Sequence, residues 1–139
     1  MVVLSGCIFV IGGVGADGKV MSSVEKYDPR SGKWQNIAAL SVGRMWLGAA
    51  LLNDVIYVVG GSDEATRLNS VERYAPSQNK WLTSTPMIES RRSHAVAALN
   101  GYLYVIGGLG GSEQLTDTVE RFDPTTETWS KVGSAVITR

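Results

Sequence analysis

Short apolar runs alternate with polar, glycine-bearing breaks along the whole chain. Nowhere do apolar positions recur over a useful length at the period of an amphipathic helix. Three runs stand out. Ile8-Phe9-Val10-Ile11 closes on Gly12-Gly13, Ile56-Tyr57-Val58-Val59 on Gly60-Gly61, and Leu103-Tyr104-Val105-Ile106 on Gly107-Gly108. Runs this short, bounded by turn residues, predict strands buried on both faces. A glycine at their ends permits positive φ or the close approach of another backbone.

The runs repeat in register. Gly12, Gly60 and Gly107 are 48 and 47 residues apart, and Trp34, Trp81 and Trp129 are 47 and 48 apart. Tyr27, Tyr74 and Phe122 keep the same step, each closing a near-copy of Val-Glu-Lys/Arg-aromatic. Arg44, Arg91 and Arg139 keep it too. The repeats are approximately residues 1–44, 45–91 and 92–139.

Each repeat predicts four short strands. A strand rich in small residues, such as Trp46 to Leu52 or His94 to Leu99, suits crowding by its equivalents near a central axis. A two-residue link, Asn53-Asp54 or Asn100-Gly101, predicts a tight hairpin into the double-glycine strand. A strand ending in Tyr or Phe follows, then one carrying Trp, with turns such as Asp28-Pro29-Arg30-Ser31-Gly32 between them. Four antiparallel strands per roughly 40–50 residues is the blade of a β-propeller. The fold class is therefore all-β, with three blades in one partial propeller over residues 1–139. Glu25, Glu72 and Glu120 lie within strands and need partners if buried. The periodic arginines or backbone amides are the expected ones.

Composition narrows the function. The chain has 139 residues and equal numbers of acidic and basic residues, 13 each, which argues against a broad nucleic-acid footprint. No apolar run is long enough to span a bilayer, and the first residues lack the basic flank of a secretory signal. One cysteine, Cys7, excludes an intrachain disulfide, and together these features fit an intracellular, cytoplasmic setting.

The double glycine, the Tyr of Val-Glu-Arg-Tyr, the Trp and the spacing between them resemble the kelch repeat. The stretch Arg67-Leu68-Asn69-Ser70-Val71-Glu72-Arg73-Tyr74 is most similar to kelch domains of BTB-kelch proteins, which are substrate adaptors of cullin-3 ubiquitin ligases. That resemblance implies a protein-interaction module without catalytic activity. Cullin-3 would be engaged only through BTB and BACK regions outside these residues. Other kelch proteins bind actin or act as scaffolds, which is the alternative function.

The resemblance also places a partner face on two loop sets. The set between the double glycine and the Glu strand holds Ser62, Asp63 and Arg67, then Leu109, Glu113 and Gln114. The set leading into the innermost strand holds Met45 and Trp46, then Arg92 and Ser93. Arg67 and Arg92 are expected to bond an acidic peptide, with Trp46 as an anchor. The competing expectation is solvated loop charges, with Trp46 packed in its own blade.

Kelch propellers of this kind usually have six blades. Three full periods run about four residues beyond this chain, so a second copy arranged head to tail would complete a six-blade ring. A fragment of a longer chain is the other origin of three repeats.

Other chemistry is thinly represented. Gly13 to Lys19 matches a dinucleotide fingerprint and most of a P-loop. Val20, however, stands where the P-loop hydroxyl belongs, and a strand is predicted next where a phosphate-binding helix would begin. His94 is the only histidine and reads as a core residue, too little for a copper or zinc site. Cys7 reads as inert packing. No catalytic constellation, metal site or cofactor is expected.

Overall fold

The computed structural model describes all 139 residues. Three four-stranded antiparallel sheets follow one another along the chain. The first holds β1 (Val2–Leu4), β2 (Cys7–Ile11), β3 (Val24–Asp28) and β4 (Lys33–Ile37). The second holds β5 (Gly48–Leu52), β6 (Val55–Val59), β7 (Val71–Ala75) and β8 (Lys80–Ser84). Next comes β9 (Arg91–Arg92). The third sheet holds β10 (Ala95–Leu99), β11 (Tyr102–Ile106), β13 (Thr118–Asp123) and β14 (Thr128–Ser134). A two-residue strand, β12 (Leu109–Gly110), pairs with β9 as a separate ribbon. Strands within each sheet pair in chain order, so every sheet is a meander and matches one repeat of the sequence.

The hairpin links take the geometry their residues favour. Ser5-Gly6, Asn53-Asp54 and Asn100-Gly101 all have positive φ at both positions, the type I′ turn whose twist matches the flanking strands. The loop from Gly13 to Lys19 closes through a Val14–Val20 bridge and leads to β3, so no helix N-terminus is offered to a phosphate.

The sheets pack face to face, and two cores lie between them. Phe9, Ile11 and Val24 of the first sheet, with Leu40, meet Ile56, Val58 and Tyr74 of the second. Tyr57, Val59 and Val71 of the second, with Met87, meet Leu103, Val105 and Phe122 of the third. Alternation along β6 therefore feeds both cores, and Ile56 to Val59 are all buried. The expectation that every double-glycine strand is buried on both faces holds for β6 alone. In β2 Val10 is exposed, and in β11 Ile106 is, because each outer sheet has a neighbour on one side only.

The small residues of β5 have the expected use, whereas in β10 Ala95, Ala97, Ala98 and Leu99 are exposed because no further blade packs on that side. A side chain at Gly48 in β5 would run into Val96 and His94 of the next blade.

Each junction is also tied by polar groups. Arg44, fully buried, donates from Nη2 to Glu72 Oε2 at 2.8 Å and from Nη1 to the Gly60 carbonyl at 2.9 Å. Glu72 Oε1 accepts from the Ser41 amide and hydroxyl, both at 2.8 Å. One junction later Arg91 donates to Glu120 Oε1 at 2.8 Å and to the Gly107 carbonyl at 2.9 Å. Glu120 accepts from the Ile88 and Glu89 amides. The periodic arginine of one blade thus reaches the strand carboxylate of the next, helped by backbone amides. Indole N–H groups cross the same boundaries, from Trp81 to the Ala38 carbonyl and from Trp129 to that of Thr85.

His94 is buried in the second junction, with Nε2 at 3.1 Å from the Val59 carbonyl and Nδ1 unpartnered. Burial first, and the nearby Arg91 charge second, push its pKa down from 6.5 to about 4. Between those values the unfolded chain binds a proton that the folded chain refuses. Stability is therefore fully present above pH 6.5 and falls as the pH drops toward 4. Wild type should lose roughly 2 kcal/mol more than His94→Gln between pH 7 and pH 5. Urea titrations of both proteins at the two pH values measure this, and equal losses would contradict it.

Candidate functional site

The loop rim is organised by backbone pairing that individual repeats do not reveal. Met45 and Ser62 exchange amide hydrogen bonds, both at 2.9 Å, joining the entry to β5 with the loop after β6. One blade later the β9–β12 ribbon does the same, with Arg92 opposite Leu109. The two predicted loop sets therefore meet at the second and third blades. Trp46 and Ser93 sit at equivalent places with φ of 52° and 55°, and the Ser93 amide donates to the Trp46 carbonyl at 2.9 Å.

Seven of the ten predicted residues line one open groove of about 470 Å³ between the second and third blades. These are Met45, Trp46, Ser62, Asp63, Arg67, Arg92 and Glu113. Gln114 lies in the adjoining groove with Ser90 and Gly111. Leu109 takes part through its ribbon pairing, and Ser93 through its amide, rather than by lining either groove.

The side chains in the main groove are largely engaged with one another. The Arg67 side chain is 9% exposed; its guanidinium donates to the Gly111 carbonyl at 3.1 Å and forms an ion pair with the exposed Glu113 carboxylate. Arg92 lies over the Trp46 ring, 4.6 Å from its centroid, a cation–π contact. Trp46 itself is half exposed. Ser62 is buried, its hydroxyl donating to the Asp63 and Thr66 carbonyls. Asp63 accepts from the Thr66 amide at 2.6 Å and the Ala65 amide at 2.8 Å, and these bonds hold its carboxyl below the usual range. Ser62 and Asp63 therefore shape the loop, while Trp46, Arg67, Arg92 and Glu113 present groups toward the groove.

Glu64, Ala65, Thr66, Ser90 and Gly111 also line the groove and were not expected. Asp63-Glu64-Ala65-Thr66 carries a signal for part of this, because an Asp two and three residues before free amides is an Asx-turn pattern. Ser90 and Gly111 carry none; only the meeting of two blades brings them in.

Four-stranded antiparallel sheets, stacked through apolar faces with loops of neighbouring blades meeting at one rim, define a partial β-propeller. A family model described as the KLHDC2/KLHL20/DRC7 Kelch-repeats domain matches residues 1–136, and the chain belongs to this kelch-repeat family. The structure titled "Structure of YjhT" is similar with a TM-score of 0.83 over 97% of this chain and 50% of that chain, at 20% identity. An F-box/kelch-repeat protein of Arabidopsis thaliana is 39% identical over 63 residues, 45% of this chain and 17% of that protein. Kelch-like protein 1 of Mus musculus is 42% identical over 50 residues, 36% of this chain and 7% of that protein. Alpha-scruin of Limulus polyphemus is 38% identical over 56 residues, 39% of this chain and 6% of that protein. The matched stretches thus span less than a fifth of the length of each of these relatives. No helix is long and apolar enough to cross a membrane.

Proposed function

We propose that the chain is a non-catalytic protein-recognition module whose groove between the second and third blades takes an acidic segment of a partner protein. On this reading it derives from a cytoplasmic BTB-kelch ubiquitin-ligase adaptor, with cullin-3 engaged only through other domains. It works as half of a six-blade ring that a second copy completes.

The observation that carries the reading is the convergence of Trp46, Arg67 and Arg92, far apart in sequence, on one open groove. Arg67 is aimed by the Gly111 carbonyl and capped by an exposed carboxylate on a loop tip. An incoming carboxylate replaces Glu113 on Arg67 and lies beside Arg92, while an apolar neighbour rests on Trp46.

Fluorescence anisotropy against a labelled library of Asp- and Glu-rich peptides tests this. Arg67→Ala and Arg92→Ala together should weaken binding by about 10-fold or more. Glu113→Gln unmasks Arg67 and should tighten binding by up to about 5-fold. Acidic-peptide binding that survives the double alanine change would remove the site assignment.

A further inference from the structure

A second groove, of about 450 Å³, adjoins the first over the same junction of the second and third blades. Ser90 and Gly111 line both. The loop tip from Gly110 to Gln114 stands between them, with Glu113 in the first groove and Ser112 and Gln114 in the second. The Gly110 amide donates to the Gln114 carbonyl at 3.0 Å and closes that tip.

The two grooves carry charges of opposite sign, held in the same way. In the first, the buried Arg67 is seated by the Gly111 carbonyl and capped by the exposed Glu113. In the second, Glu89 is the charged group. Its Oε2 accepts from Arg91 at 3.2 Å and from the Thr118 hydroxyl at 3.1 Å, which seats it on the junction. Its Oε1 accepts from Lys131 at 2.6 Å, and that lysine is half exposed. The Lys131 bond above all holds the Glu89 carboxyl below its usual range, so it stays ionised.

Charge balance makes Lys131 the exchangeable member. Arg91 is already neutralised by Glu120, both fully buried and 2.8 Å apart. Glu89 is therefore a surplus anion, and Lys131 reaches it from β14 on a flexible four-carbon stem. An exposed ion pair of this kind contributes little, so another cation replaces Lys131 at small cost.

We propose that the second groove is a subsite for a basic side chain, so that the partner segment is bipolar: its acidic residue pairs with Arg67 and a nearby Lys or Arg pairs with Glu89. This rests on the acidic-segment reading of the first groove and extends it to the neighbouring one. Charge complementarity selects the occupant. An all-acidic segment would bring a carboxylate against Glu89, and an all-basic one would meet Arg67 and Arg92. Ser90, Ser112 and Gln114 beside Glu89 supply oxygen acceptors for the remaining hydrogens of an ammonium or guanidinium.

Fluorescence anisotropy tests it, with labelled peptides that carry an Asp-Glu pair in a Gly/Ser background. One Lys is placed at successive positions on either side of the pair, roughly two to six residues away, since an extended chain spans about 3.3–3.6 Å per residue. Control peptides carry Gln in place of Lys. The best Lys peptide should bind wild type about 3–10-fold more tightly than its control. Glu89→Gln should erase that difference, and Lys131→Gln should widen it by about 2-fold or more. Urea melts check that both variants fold. If Glu89→Gln does not, Lys131→Gln decides alone, because it leaves the bonds of Glu89 to Arg91 and Thr118 in place.

Equal binding of Lys and Gln peptides at every position would overturn the second subsite and leave the acidic groove standing. A Lys gain that the variants leave unchanged would overturn its assignment to Glu89. Failure of wild type to bind any of these peptides would overturn the acidic-groove reading, and the subsite with it.

Discussion

Arg91→Ala should destabilise the chain by about 3–5 kcal/mol, the cost of leaving a buried charge unpaired. Arg91 and Glu120 are both fully buried and bonded at 2.8 Å. Removing the guanidinium leaves a carboxylate held only by the amides of Ile88 and Glu89. It also frees the Gly107 and Thr118 carbonyls, which Arg91 Nη1 serves at 2.9 and 3.2 Å. The double change Arg91→Met with Glu120→Leu should cost less than Arg91→Met or Glu120→Leu alone, since it removes the charge that would be stranded. Urea denaturation of the four proteins gives the cycle, and a single-variant loss below about 1 kcal/mol would show that water reaches the site. At the other junction, Glu72→Gln removes the charge facing Arg44 and should lower the melting temperature; an unchanged melt would count against the same account.

Gly60→Val should abolish a stable fold, at a cost of about 3–5 kcal/mol from two sources. Gly60 has a φ of 57°, where a β-branched residue is strained. A Cβ there would also meet the Arg91 carbonyl at 2.7 Å, Met87 Cε at 2.8 Å and His94 Cε1 at 2.9 Å. The carbonyl is the contact that cannot give, because the Gly61 amide bonds it at 2.9 Å and so sets where Arg91 enters the junction. The double glycine is thus the seat of the next blade's arginine, and the two predictions probe one device from opposite sides. Gly101→Asn is the control, since Gly101 has positive φ but open space around it. It should cost well under the Gly60 change, because Asn tolerates this region. Equal losses would show that conformation alone, and not the seating of Arg91, makes the glycine necessary.

Much of this fold was legible in advance because propeller blades repeat. Val-Glu-Arg-Tyr at residues 71–74 and Trp81 were read as neighbouring strands, and Tyr74 indeed stands opposite Trp81 with ring centroids 5.1 Å apart. Asn53-Asp54 and Asn100-Gly101 were read as tight hairpins from residue chemistry alone, and both adopt positive φ. The need of Glu72 and Glu120 for partners was also legible, since a carboxylate within a strand among apolar neighbours cannot stay bare.

The site was legible by position and obscure in its electrostatics. Arg67 was expected to be available to a partner, but it pairs with Glu113, 46 residues away, and only the meeting of two loops makes that pair. Arg92 was expected to bond a partner carboxylate and Trp46 to be an independent anchor; in the structure the guanidinium stacks on that ring. Ser62 was expected at the surface and is buried under its own loop.

The amino-acid order by itself determined the strands, their turns and their grouping into three blades, because hydrophobic pattern and turn chemistry act over a few residues and recur. Tertiary structure alone decided which arginine meets which carboxylate, which loop charges cancel, and which equivalent residues stay exposed. Those outcomes depend on whether a neighbouring blade covers a face. Glu25 and Glu72 stand in matching strand contexts, yet one faces solvent and the other is sealed against Arg44.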